Sequence, residues 1–239
     1  SQRLDHPGIY ANCVEDIDLI ASVILSYDSD DLDMIQNYQY KNDLNLNKSL
    51  KFGFVRGPVW NFGDEDMKHG IEEFVKNSQL DIEELDLGKD FDDAATAHEI
   101  IMNGSIANSL MKYYQTDKSN LHPFTVKRIE AGIPVSASDY VSAIEKAKKM
   151  EQNLRQLFLK YDAIITPAAP GQAPRDLMNT GNAIFNGYWT MMGVPAISLP
   201  FLKGKDDLPI GIQFIANWKE DLKLLEICKE VLKKEKLAD

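Results

Sequence analysis

The stretch that decides the fold runs from Tyr161 to Trp218 and reads YDAIITPAAPGQAPRDLMNTGNAIFNGYWTMMGVPAISLPFLKGKDDLPIGIQFIANW. Three short apolar runs in it are closed by Pro or Gly, as is typical of buried strands: 163–166, 196–199 and 210–215. Between the first two, Phe185 and Trp189 share one stripe of a helix, and Ile184 and Tyr188 share another. Apolar residues on both sides indicate a buried helix.

Outside this stretch, apolar residues recur at helical spacing or in short runs. Helices are predicted over 14–26, 67–77, 91–114, 137–161 and 221–234, and strands over 51–55 and 82–87. This alternation predicts an α/β fold with a central, largely parallel or mixed sheet covered on both faces. Residues 28–49 are rich in Asp and Asn without a steady period, so they are expected to form an exposed connecting segment.

Composition excludes several classes of function. The chain has 239 residues, 44% of them hydrophobic, and a formal net charge of −11, which suits a globular protein and argues against binding to nucleic acid or anionic membranes. No apolar run approaches the roughly 20 residues that a membrane-spanning helix needs. Two cysteines, Cys13 and Cys228, make no disulfide framework, so a cytoplasmic location is expected.

The residues do not suggest a metal site. Asp28, Asp30, Asp31 and Asp33 superficially resemble a calcium loop, but the glycine and the distal glutamate of that loop are missing in register. The four histidines are too scattered for ligand or triad spacing and are expected to be surface or capping residues: His6, His69, His98 and His122.

Several motifs together resemble the C-terminal part of the amidase signature family. They are Leu4-Asp5-His6-Pro7-Gly8 followed by Val14-Glu15-Asp16, Thr166-Pro167-Ala168-Ala169-Pro170-Gly171, Thr180-Gly181-Asn182, Gly193-Val194-Pro195-Ala196-Ile197-Ser198-Leu199-Pro200 and Pro209-Ile210-Gly211-Ile212-Gln213. The resemblance implies a large mixed central sheet with helices on both faces. It also implies that residues 1–239 are the C-terminal portion of a single amidase domain.

In that family a Lys, a bridging Ser and a nucleophilic Ser in a Gly-Gly-Ser-Ser segment carry the reaction. This chain contains no Gly-Gly pair. The resemblance therefore places the relay upstream, assigns no catalytic residue to this chain, and predicts that the chain alone is inactive.

The resemblance does imply substrate-binding residues. They are Thr166, Pro167, Thr180, Gly181, Asn182, Phe185 and Trp189, which it places beside the active-site cleft. The alternative is that Phe185 and Trp189 are simply core residues. Asp5 and His6 follow the family's nucleophile loop, and Asp5 either braces that loop or is an ordinary turn carboxylate.

The resemblance predicts a hydrolase that cleaves a carboxamide C–N bond through a seryl acyl-enzyme, with neither metal nor organic cofactor. Two alternatives stay open: a non-catalytic scaffold or binding subunit, and an amidotransferase A-type subunit in a complex. The loop at 170–174 favours the general small-molecule amidases.

The expected partners are a small-molecule amide and the N-terminal half of the enzyme, as a second chain or a missing segment, with a homodimer as an alternative. Residues 163–166 and 196–199 are too apolar for an open sheet edge, so in the complete fold both strands are expected to be central, with some of the flanking strands supplied by the N-terminal half.

Overall fold

Five strands form one mixed sheet in the computed structural model, which describes residues 3–30, 34, 46 and 49–236. The strands are β1 (Lys51–Phe54), β2 (Asp81–Glu84), β3 (Ala163–Pro167), β4 (Ala196–Lys203) and β5 (Pro209–Ile215). Their order across the sheet is β2-β1-β3-β5-β4. β1 is parallel to β2 and β3, whereas β5 is antiparallel to β3 and β4. The α/β class and the mixed sheet are confirmed.

Seven helices surround this sheet in the described part of the chain. They are α1 (Val14–Ile24), α2 (Glu65–Asn77), α3 (Ala94–Asp117), α4 (Pro123–Gly132), α5 (Ala137–Leu157), α6 (Ile184–Met191) and α7 (Asp221–Lys236). The sequence pattern did not predict α4. Its start has a local cause, because Pro123 occupies the first turn and the His122 side chain accepts a hydrogen bond from the Phe124 N–H. His122 is thus a capping residue, as expected.

The predicted exposed segment at 28–49 lies mostly outside the described residues, and so do Asp31 and Asp33 of the calcium-like run. Asp28, Ser29 and Asp30 are described and are exposed.

Helices pack on both faces of the sheet. On one face, the Phe214 ring lies 6.2 Å from Phe52 and 6.4 Å from Phe201, and Phe201 stacks at 5.0 Å on Phe74 of α2. Gln213 precedes Phe214 in β5 and therefore points to the opposite face. The Tyr188 side chain of α6 reaches that opposite face beside Thr166 of β3.

The expected central position of residues 196–199 concerns the complete fold and stays a prediction. β3 is central, but β4 is an edge strand whose Ala196, Ser198 and Pro200 are exposed. Proline cannot donate to a strand ladder and is found at edges and bulges. The pairing with β5 is indeed irregular between Leu199 and Leu202, where Pro200 stands.

α1 is held to the body of the protein along one side only. Its Val14 and Ala21 are buried, and Asp18 pairs with Lys229 of α7 at 2.5 Å. On its other side, Leu19 is 66% exposed and Val23 is 74% exposed. None of the helices among residues 3–30 and 49–236 is both long and apolar enough to cross a membrane.

α3 and α6 approach each other where a glycine faces a histidine. A Cβ placed on Gly187 would lie 2.7–3.0 Å from atoms of the His98 imidazole. Those distances are shorter than van der Waals contact, so a larger residue at 187 must displace the ring. The glycine therefore sets how closely α6 lies against α3.

We predict that Gly187→Ala lowers the free energy of unfolding by about 1–3 kcal/mol, because an added methyl group overpacks this contact. Urea unfolding followed by circular dichroism measures the change. The His98→Ala/Gly187→Ala double variant is the control, and it should recover most of the loss caused by the methyl group. If Gly187→Ala lowers the free energy of unfolding equally in the wild-type and in the His98→Ala background, His98 is not the obstacle to the added methyl group.

Candidate functional site

Strands β1 and β3 run in parallel, so their carboxyl ends meet at one edge of the sheet. The Val55 N–H donates to the Ile165 carbonyl at 2.9 Å, which extends the pairing to that edge. Gly57 follows with φ of 73°, and a Cβ there would lie 2.7 Å from the Tyr188 hydroxyl oxygen. The position therefore needs glycine both for its conformation and for its space. This edge is where open α/β sheets bind ligands.

A cavity of about 450 Å³ opens at the carboxyl ends of β1 and β2. Its lining includes Arg56, Gly57, Glu84, Asp86, Phe91 and Asp92. The Arg56 guanidinium is already engaged, because it pairs with Glu84 and, at 2.9 Å, with Glu72. Asp86 accepts a hydrogen bond from the Gly88 N–H at 2.8 Å. Carboxylates therefore dominate the charge of the cavity.

Buried polar atoms collect next to this edge. Of the five buried side-chain atoms that make no hydrogen bond of normal geometry among the described residues, four belong to this region: Thr166 Oγ1, Tyr188 Oη, Trp189 Nε1 and Gln213 Nε2. Burial raises the pKa of the Tyr188 hydroxyl, and its polar neighbours Thr166 and Trp189 oppose that rise only in part. A buried polar group without a partner costs about 1–3 kcal/mol. All four groups can donate a hydrogen bond, so the set suits an acceptor.

Polar contacts hold the loop after β3 in place at two points. Gln172 donates to Asp206 at 2.5 Å and accepts from the Asp206 N–H at 3.1 Å, and Arg175 pairs with the same carboxylate. The Asp64 N–H donates to the Pro170 carbonyl at 2.7 Å. The loop is thereby tied to the turn between β4 and β5 and to the start of α2.

The predicted substrate-binding residues divide into two groups. Thr166 and Pro167 are buried at the end of β3, and Phe185 and Trp189 are 0% and 1% exposed in the core. The second group, Thr180-Gly181-Asn182, is exposed before α6, where the Asn182 side chain accepts a hydrogen bond from the Ile184 N–H at 3.0 Å. The structure brings Thr166 and Trp189 together around Tyr188. It leaves the second group at the surface, and the substrate-binding role of both groups stays a prediction.

Asp5 and His6 lie near the last helix. Burial lowers the pKa of the His6 imidazole, whereas Asp5 and Asp221 act to raise it. Burial raises the pKa of the Asp221 carboxyl group at the start of α7, and His6 opposes that rise. His6 is therefore electrostatically coupled to α7, and support of a nucleophile loop by Asp5 and His6 stays a prediction.

His98 departs from the expected surface or capping position. It is half-buried on α3 against Gly187, and burial lowers the pKa of its imidazole, with Glu99 opposing. Burial therefore favours the neutral form of the ring. His69 is exposed, as expected. The described part of the chain brings no three metal-ligating side chains together.

The sequence reasoning missed Tyr188, Gln213 and the cavity carboxylates as parts of the site. Gln213 had a signal of its own, because it is the one polar residue in the strand PIGIQFI. In the sequence pattern, Tyr188 was interpreted as one more apolar position of a buried helix. Glu84 ends the acidic strand DIEE and Asp86 follows it, and nothing in that strand marks a cavity.

Comparison with known proteins gives the family. The family described as Amidase matches residues 1–225. The A-type subunit of glutamyl-tRNA(Gln) amidotransferase from Agathobacter rectalis is 28% identical over 90% of this chain and 50% of the relative. Its counterpart from Aliarcobacter butzleri is 34% identical over 48% of this chain and 28% of the relative. The chain spans about half the length of the curated relatives it matches, or less.

Solved structures agree in fold. The structure of 6-aminohexanoate cyclic dimer hydrolase superimposes with a TM-score of 0.70 at 18% identity, covering 92% of this chain and 53% of that chain. A crystal structure of an amidase gives 0.66 at 18% identity, with 75% and 44% covered. At this identity the likeness shows the fold alone. Because the family match takes in most of the sequence, the chain belongs to the amidase family.

Proposed function

We propose that this chain forms the substrate-binding wall of an amidase-type hydrolase that cleaves a carboxamide C–N bond through a seryl acyl-enzyme. The nucleophile would be supplied by a further polypeptide segment, either a second chain or another part of the same protein. The proposed substrate is a small-molecule amide.

The set of buried hydrogen-bond donors beside the carboxyl ends of β1 and β3 carries this proposal. Thr166, Tyr188, Trp189 and Gln213 contribute it, and none of their four buried atoms has a hydrogen-bond partner at normal geometry in the described part of the chain. A carboxamide presents a carbonyl oxygen that accepts such hydrogen bonds. Donors held in place by a strand and a helix need no reorganisation when that oxygen arrives.

The family resemblance supplies the rest of the chemistry. A desolvated, neutral lysine would deprotonate the bridging serine, which would activate the nucleophilic serine. Backbone N–H groups of a glycine-rich loop would then stabilise the oxyanion, at roughly 3–4 kcal/mol per donor. These groups would belong to the segment that faces the wall.

Two surfaces support a facing segment. The outer side of α1 exposes Leu19 and Val23. β4 is an edge strand with alternating exposed residues, and strand edges offer unpaired N–H and C=O groups. Apolar helix faces and strand edges of this kind are normally covered in a folded enzyme.

The second candidate function is that of an amidotransferase component, which would pass ammonia to an acyl acceptor within a complex. The match to two A-type subunits of glutamyl-tRNA(Gln) amidotransferase favours it. The loop at 170–174 favours the hydrolase. Both functions use the same wall and release the acyl group with water, and they differ in whether the ammonia goes to solvent or to a bound acyl acceptor.

We predict that the 239-residue chain alone releases no ammonia from propionamide above the uncatalysed rate. A polypeptide that carries the family's Gly-Gly-Ser-Ser segment should restore release when mixed with the chain, because it adds the nucleophile, base and oxyanion donors. Ammonia release measures both states, and the added polypeptide alone is the control. Turnover by the chain alone that disappears on replacing a single serine would contradict the proposal.

We also predict separate effects of truncating the two buried aromatic residues of α6. Phe185→Ala should cost about 3–5 kcal/mol of stability, since the ring is fully buried in the core. Trp189→Phe keeps most of the packing and removes the indole N–H. In the complemented enzyme it should therefore raise KM or lower kcat/KM more than it lowers the melting temperature. Unchanged kinetic constants in a folded Trp189→Phe enzyme would assign Trp189 to the core alone.

A further inference from the structure

The cavity at the carboxyl ends of β1 and β2 contains more negative than positive charge. Three carboxylates line it, those of Glu84, Asp86 and Asp92, and the one guanidinium among its lining residues is that of Arg56. Arg56 already pairs with Glu84 and with Glu72. Asp86 and Asp92 are exposed and pair with no cation in the part of the chain that the structure describes. The cavity therefore attracts positive charge.

The rest of the lining, apart from two glycines, is apolar. It consists of Val55, Pro58, Leu85, Leu87 and Phe91. Walls of low polarity focus the field of nearby charges and strengthen their attraction for a counter-ion. The volume of about 450 Å³ is in the range of small-molecule sites. Apolar walls beside carboxylates suit an organic cation, which has a carbon body as well as a charge.

A glycine stands between this cavity and the buried hydroxyl of Tyr188. Gly57 lines the cavity, and a Cβ on it would lie 2.7 Å from the Tyr188 Oη but 3.7 Å from the Tyr188 Cζ. The hydroxyl therefore points at this glycine. Tyr188 is only 1% exposed, and its Oη makes no hydrogen bond of normal geometry with the described residues. An unpartnered polar group is thus aimed at the cavity wall, and it places the cavity next to the proposed amide site.

We propose that this cavity binds a protonated amine, so that the amides on which the chain acts bear a positively charged group. The proposal rests on the proposed function and names the class of its substrate. Aliphatic amines are protonated near pH 7. The ammonium group donates hydrogen bonds to the carboxylates of Asp86 and Asp92, and its carbon chain lies along the apolar wall. Asp86 can accept them besides the bond from the Gly88 N–H, because a carboxylate has several acceptor positions.

Three amides of similar length test the charge preference. β-Alaninamide ends in an ammonium group, butanamide in a methyl group and succinamate in a carboxylate. Titration of the ¹⁵N-labelled 239-residue chain follows the backbone amides of Gly57 and Gly88, which line the cavity. We expect a saturable shift with β-alaninamide, at least about threefold tighter binding than with butanamide, and the weakest binding with succinamate. A β-alaninamide titration without a saturable shift overturns the proposal, as does binding no tighter than that of butanamide.

Neutral variants of the carboxylates show whether the preference arises in the cavity. Asp92→Asn should weaken β-alaninamide binding about 2- to 5-fold and leave butanamide binding unchanged. Asp86→Asn should do the same, since its side-chain oxygen can still accept from the Gly88 N–H. Asp81→Asn, at the exposed opposite end of β2, is the matched control and should keep the wild-type preference. A full preference in both cavity variants, or an equal loss in Asp81→Asn, overturns the site.

Salt gives a readout that needs no substitution. Raising sodium chloride from about 0.05 M to about 0.5 M shortens the range of electrostatic attraction. Binding of β-alaninamide to the wild-type chain should therefore weaken several-fold, whereas binding of butanamide should not change. A preference for β-alaninamide that is independent of salt would exclude attraction by the carboxylates and overturn the proposal.

The amine site and the proposed function fail in different ways. If the complemented enzyme releases ammonia from β-alaninamide and butanamide with the same KM, and the chain binds both equally, the amine site is wrong and the hydrolase stands. If complementation yields no turnover while the chain still prefers β-alaninamide and loses that preference in Asp92→Asn, the amine site stands and the hydrolase is wrong.

Discussion

The parallel pairing of β1 with β3 is the constraint on which the rest of this structure depends. It joins Phe52 to Ala163 and Phe54 to Ile165, residues more than a hundred positions apart in the sequence. Because the two strands run in the same direction, the Gly57 loop and the end of β3 leave the sheet at one edge. Tyr188 of α6 fits there only because residue 57 has no side chain. Both the cavity and the buried hydrogen-bond donors lie where these two loops meet.

The elements of the fold were largely predictable from the sequence. The strands at 163–166 and 210–215 and the helices at 14–26 and 221–234 were found because their apolar periods are strong. α4 was missed because it is short and begins at a histidine cap and a proline rather than at an apolar stripe. The edge position of β4 in this sheet could not be predicted, because apolar content reports burial, whereas strand order depends on pairing that no local pattern contains.

The candidate site was predictable only in part, for a related reason. Thr166 and Trp189 were named from the family resemblance, and the structure brings them together around Tyr188. Gln213 became meaningful only when the register placed it between Thr166 and Ser198. A polar residue in an apolar strand is visible in the sequence, but its neighbours across the sheet are not. The acidic cavity likewise needs the parallel register of β1 and β2.

Hydrogen exchange at β4 tests the central claim most directly, which is that this chain is one wall of an enzyme completed by a facing segment. In an antiparallel edge strand, alternate N–H groups point away from the partner strand and exchange with solvent. We expect the outward-facing amides of residues 196–203 to exchange rapidly in the chain alone and at least about tenfold more slowly in the active complex, a change of about 1.4 kcal/mol. Amides that are already protected in the chain alone, or unchanged in an active complex, would contradict the account.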